Sequence, residues 1–337
     1  MVDSTTKAAD SQNMQNAKGA FVRKASVWRN LVSKEEGNKF QPEADRYHLY
    51  ISWACPWANR CATVRVMKGL EKVIGLSVTH PTWKRTRPDD EIDVHHGWVF
   101  GENGVALSSP NGSGSFVCND LIPDTVNACK FVRDLYNLAG QEGPTYSVPI
   151  LWDKKLKTIV NNESSEIIQI LNSAFNDFAE NPSLDLAPAE LKQSMEEVDS
   201  WSYEGINNGV YRCGFAKTQE AYDAASENLF THLAKLESHL ADKKFCCGDT
   251  FTLTDIRIFQ TLIRFDEVYV VYFKCDKRKI SENPNILRYC RDIWRIPGVK
   301  ETTNMNHIKN HYFTSHSDLN KFAIVPTGPN FIGLLEQ

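Results

Sequence analysis

The residue best placed to do chemistry is Cys55, within Ala54-Cys55-Pro56-Trp57-Ala58. An alternating stretch, Arg46-Tyr47-His48-Leu49-Tyr50-Ile51-Ser52-Trp53, leads into it, and helical spacing follows. The thiol therefore stands where a strand gives way to a helix. Proline is tolerated at the first helical position because its missing N–H would be unpaired there anyway, so Pro56 puts Cys55 at or beside the N-cap. Exposed amides and the positive end of the helix dipole favour thiolate over thiol at such a position. A Cys-X-X-Cys redox motif would supply a second sulfur at position 58, where this chain has Ala58. The disulfide partner of Cys55 must then come from outside the chain, and glutathione is the abundant cytosolic thiol for mixed-disulfide exchange. The plainer alternative is a buried structural cysteine.

Glu163-Ser164, at the start of an apolar-periodic segment, suits the α-amino acid end of such a peptide. Its carboxylate would meet the ammonium, and its hydroxyl and amide the carboxylate. The competing role is a helix cap. Val148-Pro149 opens a strand-like run, and a cis bond there would turn the Val148 backbone toward a ligand. His95-His96 and the pair His307 and His311 have no neighbours that complete a ligand set, so they are expected to be packing or solvated histidines with no metal. Tyr203, Tyr211, Tyr269, Tyr272 and Tyr312 are either packing residues or the wall of an aromatic-substrate pocket able to donate protons.

Composition narrows the setting for this chemistry. The 337 residues, 42% of them hydrophobic, can build one large or two ordinary domains, and two is the expectation. A net charge of −4 leaves no electrostatic footprint for nucleic acid. No apolar run reaches the roughly 20 residues that span a bilayer, and the N-terminus has no signal core, so a cytoplasmic protein without a membrane partner is expected. Nine cysteines, an odd count, point to free thiols in a reducing compartment.

Strands are expected at 46–53 and 73–80, helices at 56–68, 119–139 and from about 163, and a hairpin around Asp153-Lys154-Lys155. This β-α-β-α-β-β-α order is thioredoxin-like. A polar, glycine-rich insertion at 81–117 interrupts it, of a length that is usually functional or lid-like. Beyond 188, helical periodicity takes over at 189–209, 218–241, 254–274 and 284–295, with a capping box at Thr252-Leu253-Thr254-Asp255. The expected organisation is an N-terminal extension at 1–45, disordered to about residue 20; a thioredoxin-like, glutathione-binding domain at 46–176; a helical domain at 188–313; and an irregular tail at 314–337. Within the extension, Phe21, Val22, Trp28, Leu31 and Phe40 could anchor a wrapped arm.

Taken in order, Cys55-Pro56-Trp57-Ala58, Trp98, Val148-Pro149, Asn162-Glu163-Ser164, Asn208-Gly209-Val210-Tyr211, Arg264-Phe265-Asp266, Phe273-Lys274-Cys275 and His307-Ile308-Lys309-Asn310-His311-Tyr312-Phe313 resemble the glutathionyl-hydroquinone reductases. These are the omega-like Xi class of glutathione transferases, and the resemblance runs from about residue 19 to the C-terminus. It implies an α/β thioredoxin-like domain followed by an all-α glutathione-transferase C-terminal domain, in a homodimer. It further implies Cys55 as nucleophile, Tyr211 as proton donor or acceptor, and Tyr269 and Tyr312 on the quinol side. Glutathione would lie against Trp98, Val148, Glu163 and Ser164, as co-substrate, with no tightly bound cofactor and no metal. The implied reaction reduces glutathionyl-hydroquinones through a Cys55–glutathione mixed disulfide. The rival activities are an omega-like thioltransferase or dehydroascorbate reductase, and a non-catalytic ligand binder. Two positions depart from the pattern: Tyr272 stands where many relatives have histidine, and Thr145 where some have arginine.

Overall fold

The computed structural model describes residues 14–141 and 145–337. They divide into two compact units, the first made of Met14, 24–182 and 304–325, the second of 15–23, 183–303 and 326–337.

The first unit contains β1 (Tyr47–Ile51), α1 (Pro56–Met67), β2 (Ile74–Val78), four two-residue strands β3 (Lys84–Arg85), β4 (His96–Gly97), β5 (Ala106–Leu107) and β6 (Phe116–Val117), then α2 (Val132–Leu138), β7 (Ile150–Asp153), β8 (Thr158–Asn161) and α3 (Ser164–Ser173). Its main sheet has the order β2-β1-β7-β8. Strands β1 and β2 are parallel and so need a crossover, which α1 supplies, whereas β7 and β8 are the expected antiparallel hairpin. Every residue of β1 is buried. Its polar members are satisfied there, since His48 Nε2 lies 2.8 Å from Ser77 Oγ and the Tyr50 hydroxyl donates to Asp124 Oδ1 at 2.8 Å. The alternating strand is thus covered on both faces.

Three expectations need correction, the first two of them in this unit. The helix expected over 119–139 forms only at Val132–Leu138. Upstream, the Asp124 carboxylate accepts from the amides of Val126, Asn127 and Cys129 at 3.0 to 3.1 Å, which holds a loop, and Ala128 takes a left-handed φ of 54°. The insertion at 81–117 is not a plain loop, because it pairs β3 with β4 and β5 with β6 and buries Trp83 and Trp98. Of the N-terminal stretch expected to be disordered, 1–13 lies outside the described residues, while 14–20 belongs to a turn closed by a bridge between Gln15 and Phe21.

The second unit is helical. It contains α4 (Lys192–Ser202), a π-helical turn at Tyr203–Asn207, α5 (Gly209–Gly214), α6 (Gln219–His239), α7 (Leu253–Arg264), a second π-helical turn at Phe265–Tyr269, α8 (Val270–Tyr272) and α9 (Pro284–Trp294). Helix α10 (Met305–Ser315) belongs to the first unit, and α11 (Phe331–Leu335) to the second. Periodicity carries the helical domain through 313 and makes the tail irregular. In the structure, α10 packs with the sheet unit, where its Thr314 and Ser315 hydroxyls bond Thr82 and Trp83, and α11 adds buried Phe331 and Leu335 to the tail. The capping box stands as read: Asp255 accepts from Thr252 N at 2.8 Å, Thr252 Oγ1 at 2.9 Å, Cys246 N at 2.8 Å and the Tyr289 hydroxyl at 2.9 Å. Four donors on one buried carboxylate fix where α7 begins. No helix among the described residues is long and apolar enough to cross a membrane.

Candidate functional site: a helix-start thiol and a separate cluster of phenols

Cys55 is the N-cap of α1, in extended conformation, with Pro56 opening the helix. Its carbonyl accepts the first helical bond from Asn59 N at 2.8 Å, and its side chain is not used as a cap. The residue is 9% exposed, and Sγ lies 3.6 Å from the Val148 carbonyl oxygen. The Val148–Pro149 peptide is cis. Tyr136 of α2 holds this loop, donating to the Ser147 carbonyl at 2.8 Å while accepting from Asn162 Nδ2 at 3.0 Å. One phenol therefore ties the Val148 loop to the residue just before Glu163. Elsewhere, burial pushes the thiols of Cys61, Cys246, Cys275 and Cys290 far above the ordinary range, which makes them poor nucleophiles.

Glu163 is the N-cap of α3. Its Oε1 accepts from Ser165 N at 3.0 Å and from the Ser165 hydroxyl at 2.9 Å. The capping role leaves part of the carboxylate open, because the side chain is still 26% exposed. Sequence reasoning missed Arg60, one turn along α1 from the thiol. Its side chain, 2% exposed, donates to Ser164 Oγ at 2.5 Å, lies 3.8 Å from Glu163 Oε1 and stacks on the Trp57 ring at 5.1 Å. A cation at helical spacing from the apolar Val64 and Met67 was the available signal, since a buried guanidinium requires an acidic partner. Burial works to raise the Glu163 carboxyl, but the Ser165 amide, the Arg60 charge and two hydroxyl donors outweigh it and hold the group below the usual carboxylate value. Cys55 with Val148, and Glu163 with Ser164, are in this way tied together through α1 and α3.

Trp98 stands in an aromatic cluster of the same unit. Its ring stacks on His311 with centroids 4.4 Å apart and meets Trp83 edge-on at 5.6 Å, while His316 approaches Trp83 at 4.9 Å. His311 and His316 were not anticipated as ring partners of Trp83 and Trp98, because those contacts join residues more than 200 positions apart. His307 Nε2 lies 2.6 Å from the Asn119 carbonyl and His311 Nδ1 2.9 Å from that of Pro81. Among the described residues, no group of three or more His, Cys, Asp or Glu is placed to hold a metal ion. Tyr312, buried and 5.1 Å from the His311 ring, belongs to this unit and not to the helical one.

Tyr211 and Tyr269 lie together in the second unit, with ring centroids 6.1 Å apart. Tyr211 also meets Phe273 edge-on at 5.4 Å and Phe21 at 6.4 Å, and Arg23 lies over its ring at 4.9 Å. Tyr269 is stacked nearly parallel on Phe273 at 5.3 Å. Both phenols depend on π-helical turns: Tyr211 follows the one at 203–207, and Tyr269 closes the one at 265–269. Such turns shift a helix's side-chain phase by a residue and recur at functional sites. Gly214 makes the cluster possible, because a Cβ there would stand 1.9 Å from Phe273 Cδ1. Tyr272 is buried beside Phe273 at 5.3 Å.

Comparison with known proteins adds to this geometry. Residues 219–292 match the family model described as the C-terminal domain of glutathione S-transferase. Glutathionyl-hydroquinone reductase YqjG of Escherichia coli is 41% identical over 321 residues, covering 92% of this chain and 89% of that protein. Its glutathione-bound structure superposes with a TM-score of 0.79 at 39% identity, covering 90% of this chain and 92% of that one. Glutathione S-transferase omega-like 2 of Schizosaccharomyces pombe is 40% identical, covering 92% and 94% of the two chains. The crystal structure of the glutathione S-transferase Xi from Phanerochaete chrysosporium gives a TM-score of 0.80 at 42% identity, covering 92% of this chain and 98% of that one.

Proposed function

Because this chain belongs to the Xi class of glutathione transferases, the family of the glutathionyl-hydroquinone reductases, we propose that it reduces glutathionyl-hydroquinones with glutathione as co-substrate. The observation that carries the reading is a single thiol at the start of α1, beside the Val148 carbonyl, with Ala58 where a second sulfur would stand. Cys55 as thiolate attacks the sulfur of the conjugate. The carbon–sulfur bond breaks, its electron pair goes to the ring carbon, and that carbon takes up a proton to give hydroquinone. Cys55 is left as a mixed disulfide with glutathione. A second glutathione, as thiolate, attacks this disulfide, releases oxidised glutathione and restores the Cys55 thiolate.

Breaking a carbon–sulfur bond differs from disulfide exchange in needing a proton at carbon and an aromatic ring able to hold charge on the way. A general acid of phenolic type meets that need. Tyr211 is assigned this role, with Tyr269 and Tyr312 on the quinol side. The amine end of glutathione is assigned to Glu163 and Ser164, the cysteinyl backbone to Val148, and Trp98 to the wall. A homodimer is part of the same proposal. The relative in Schizosaccharomyces pombe bears the omega-like name, and a thioltransferase would use Cys55 alike without needing the phenols. Glutathionyl-hydroquinone and a glutathionyl mixed disulfide, assayed side by side, separate the two. Cys55→Ser should abolish turnover of both and leave no glutathione adduct by intact mass after exposure to oxidised glutathione. Turnover retained by that variant overturns the covalent step.

A further inference from the structure

The N-terminal arm reaches the subsite assigned to the glutathione amine. Residues 28–30 run along the end of β8: Trp28 N donates to Asn162 Oδ1 at 3.1 Å, Asn162 N to the Trp28 carbonyl at 3.0 Å, and Asn30 N to the Val160 carbonyl at 3.1 Å. Arg29 forks onto the Glu166 carboxylate, with Nε 2.7 Å from Oε2, and the Trp28 indole donates to Gln141 Oε1 at 2.5 Å. So anchored, the chain two residues earlier places the Ser26 hydroxyl 3.0 Å from Glu163 Oε2 and 3.3 Å from the Asn162 carbonyl, and the shorter contact, to the charged acceptor, is the stronger.

We propose that Ser26 is a positioning residue for glutathione binding, acting through the Glu163 carboxylate. The proposal rests on the assignment of the glutathione ammonium to Glu163. The two carboxylate oxygens are held by different elements. Oε1 is taken by Ser165 of α3 and faces Arg60 of α1, whereas Oε2 is held by Ser26 of the arm. A carboxylate pinned at both oxygens cannot rotate, so its solvent-facing lone pairs stay aimed where an ammonium can meet them. Removing Ser26 frees Oε2 and takes one donor from the ionised form. The other groups that act on Glu163 are unchanged by that substitution: Arg60 and Cys61 on α1, Arg29 on the arm and Glu166 on α3.

Ser26→Ala should raise the KM for glutathione about tenfold with kcat little changed, the loss expected of one hydrogen bond to a charged group. The acid limb of kcat/KM should move to higher pH, because Glu163 loses a donor that favours its ionised form. Ser26→Thr, which keeps the hydroxyl, should restore both. With N-acetylated glutathione, which has no ammonium, Ser26→Ala and the parent enzyme should perform alike. Glu163→Gln serves as the reference. If Glu163→Gln raises the KM and Ser26→Ala does not, the role of Ser26 is overturned and the amine subsite stands. If neither changes the KM, the amine assignment itself fails and this proposal falls with it. An equal loss on both forms of glutathione marks Ser26 as merely structural and overturns the proposal.

Discussion

The two units organise their candidate chemistry by different physics. In the sheet unit, the polar groups beside Cys55 and Glu163 are fixed by directional bonds around two helix starts: the Val148 carbonyl beside the thiol, the Ser165 amide on Oε1, and Arg60 on Ser164. In the helical unit, Tyr211 and Tyr269 are placed by rings packed on rings, and the helices that carry them are dephased by π turns. The first arrangement suits a charged, polar peptide that must be held in one register. The second suits a flat aromatic ring and a proton. The proposed reaction, which parts a tripeptide from a quinol, calls for both kinds of surface, and the two should fail differently when disturbed.

The largest expected difference is kinetic. Tyr211→Phe keeps the ring and its contacts with Phe273 and Phe21 but removes the phenol proton. If Tyr211 is the acid, kcat on glutathionyl-hydroquinone should fall about a hundredfold, the range typical of a lost general acid, with the KM for glutathione and activity on a glutathionyl mixed disulfide unchanged. An equal fall on both substrates would show that the phenol is not protonating carbon.

A smaller effect should follow from crowding the aromatic cluster without touching a phenol. Gly214→Ala places a methyl 1.9 Å from Phe273 Cδ1, so Phe273 must move and Tyr211 and Tyr269 lose their common neighbour. Overpacking of this kind costs about 1–3 kcal/mol. Denaturant unfolding should report that loss, and kcat should fall while the KM for glutathione holds. A stability equal to the parent's would mean the cluster is loose, and the phenols would then not be fixed by packing.

The same contrast explains what could be read from the sequence. Local, directional features were legible: Pro56 marks the start of α1, Thr252 and Asp255 mark that of α7, and Glu163 caps α3 as its type and position indicate. Long-range packing was not. Nothing near Trp98 announces that His311 will stack on it, and nothing in 189–209 or 254–274 announces a π turn, because a single wide turn breaks the apolar phase at one point only, with helical spacing resuming on either side. Periodicity misled at 119–131 for a related reason. Val126 and Cys129 keep helical spacing, but the Asp124 carboxylate takes the amides a helix would have used. Arg60 was missed because its partners lie about 100 positions away.

The effect spread most widely concerns acid. Burial first of all holds His48, His80 and His95 of the sheet unit at pKa values of about 4. In these cases the folded form binds the proton less readily than the unfolded chain does. Their stabilising effect is complete above the unfolded value of 6.5 and is lost as pH falls from there toward 4, at about 1.4 kcal/mol per pH unit for each histidine. In the helical unit the sign is reversed for Asp255 and Asp266, whose carboxyls burial raises above 3.8. There the folded form takes up the proton first, so these groups add stability as pH falls toward the unfolded value. Hydrogen exchange from pH 7 to 5, corrected for intrinsic rates, should therefore show 46–52 and 79–100 losing protection before 253–269. If both regions lose protection in step, acid acts on the molecule as a single unit. Earlier loss at 253–269 would mean that the buried histidines are not the acid-sensitive groups.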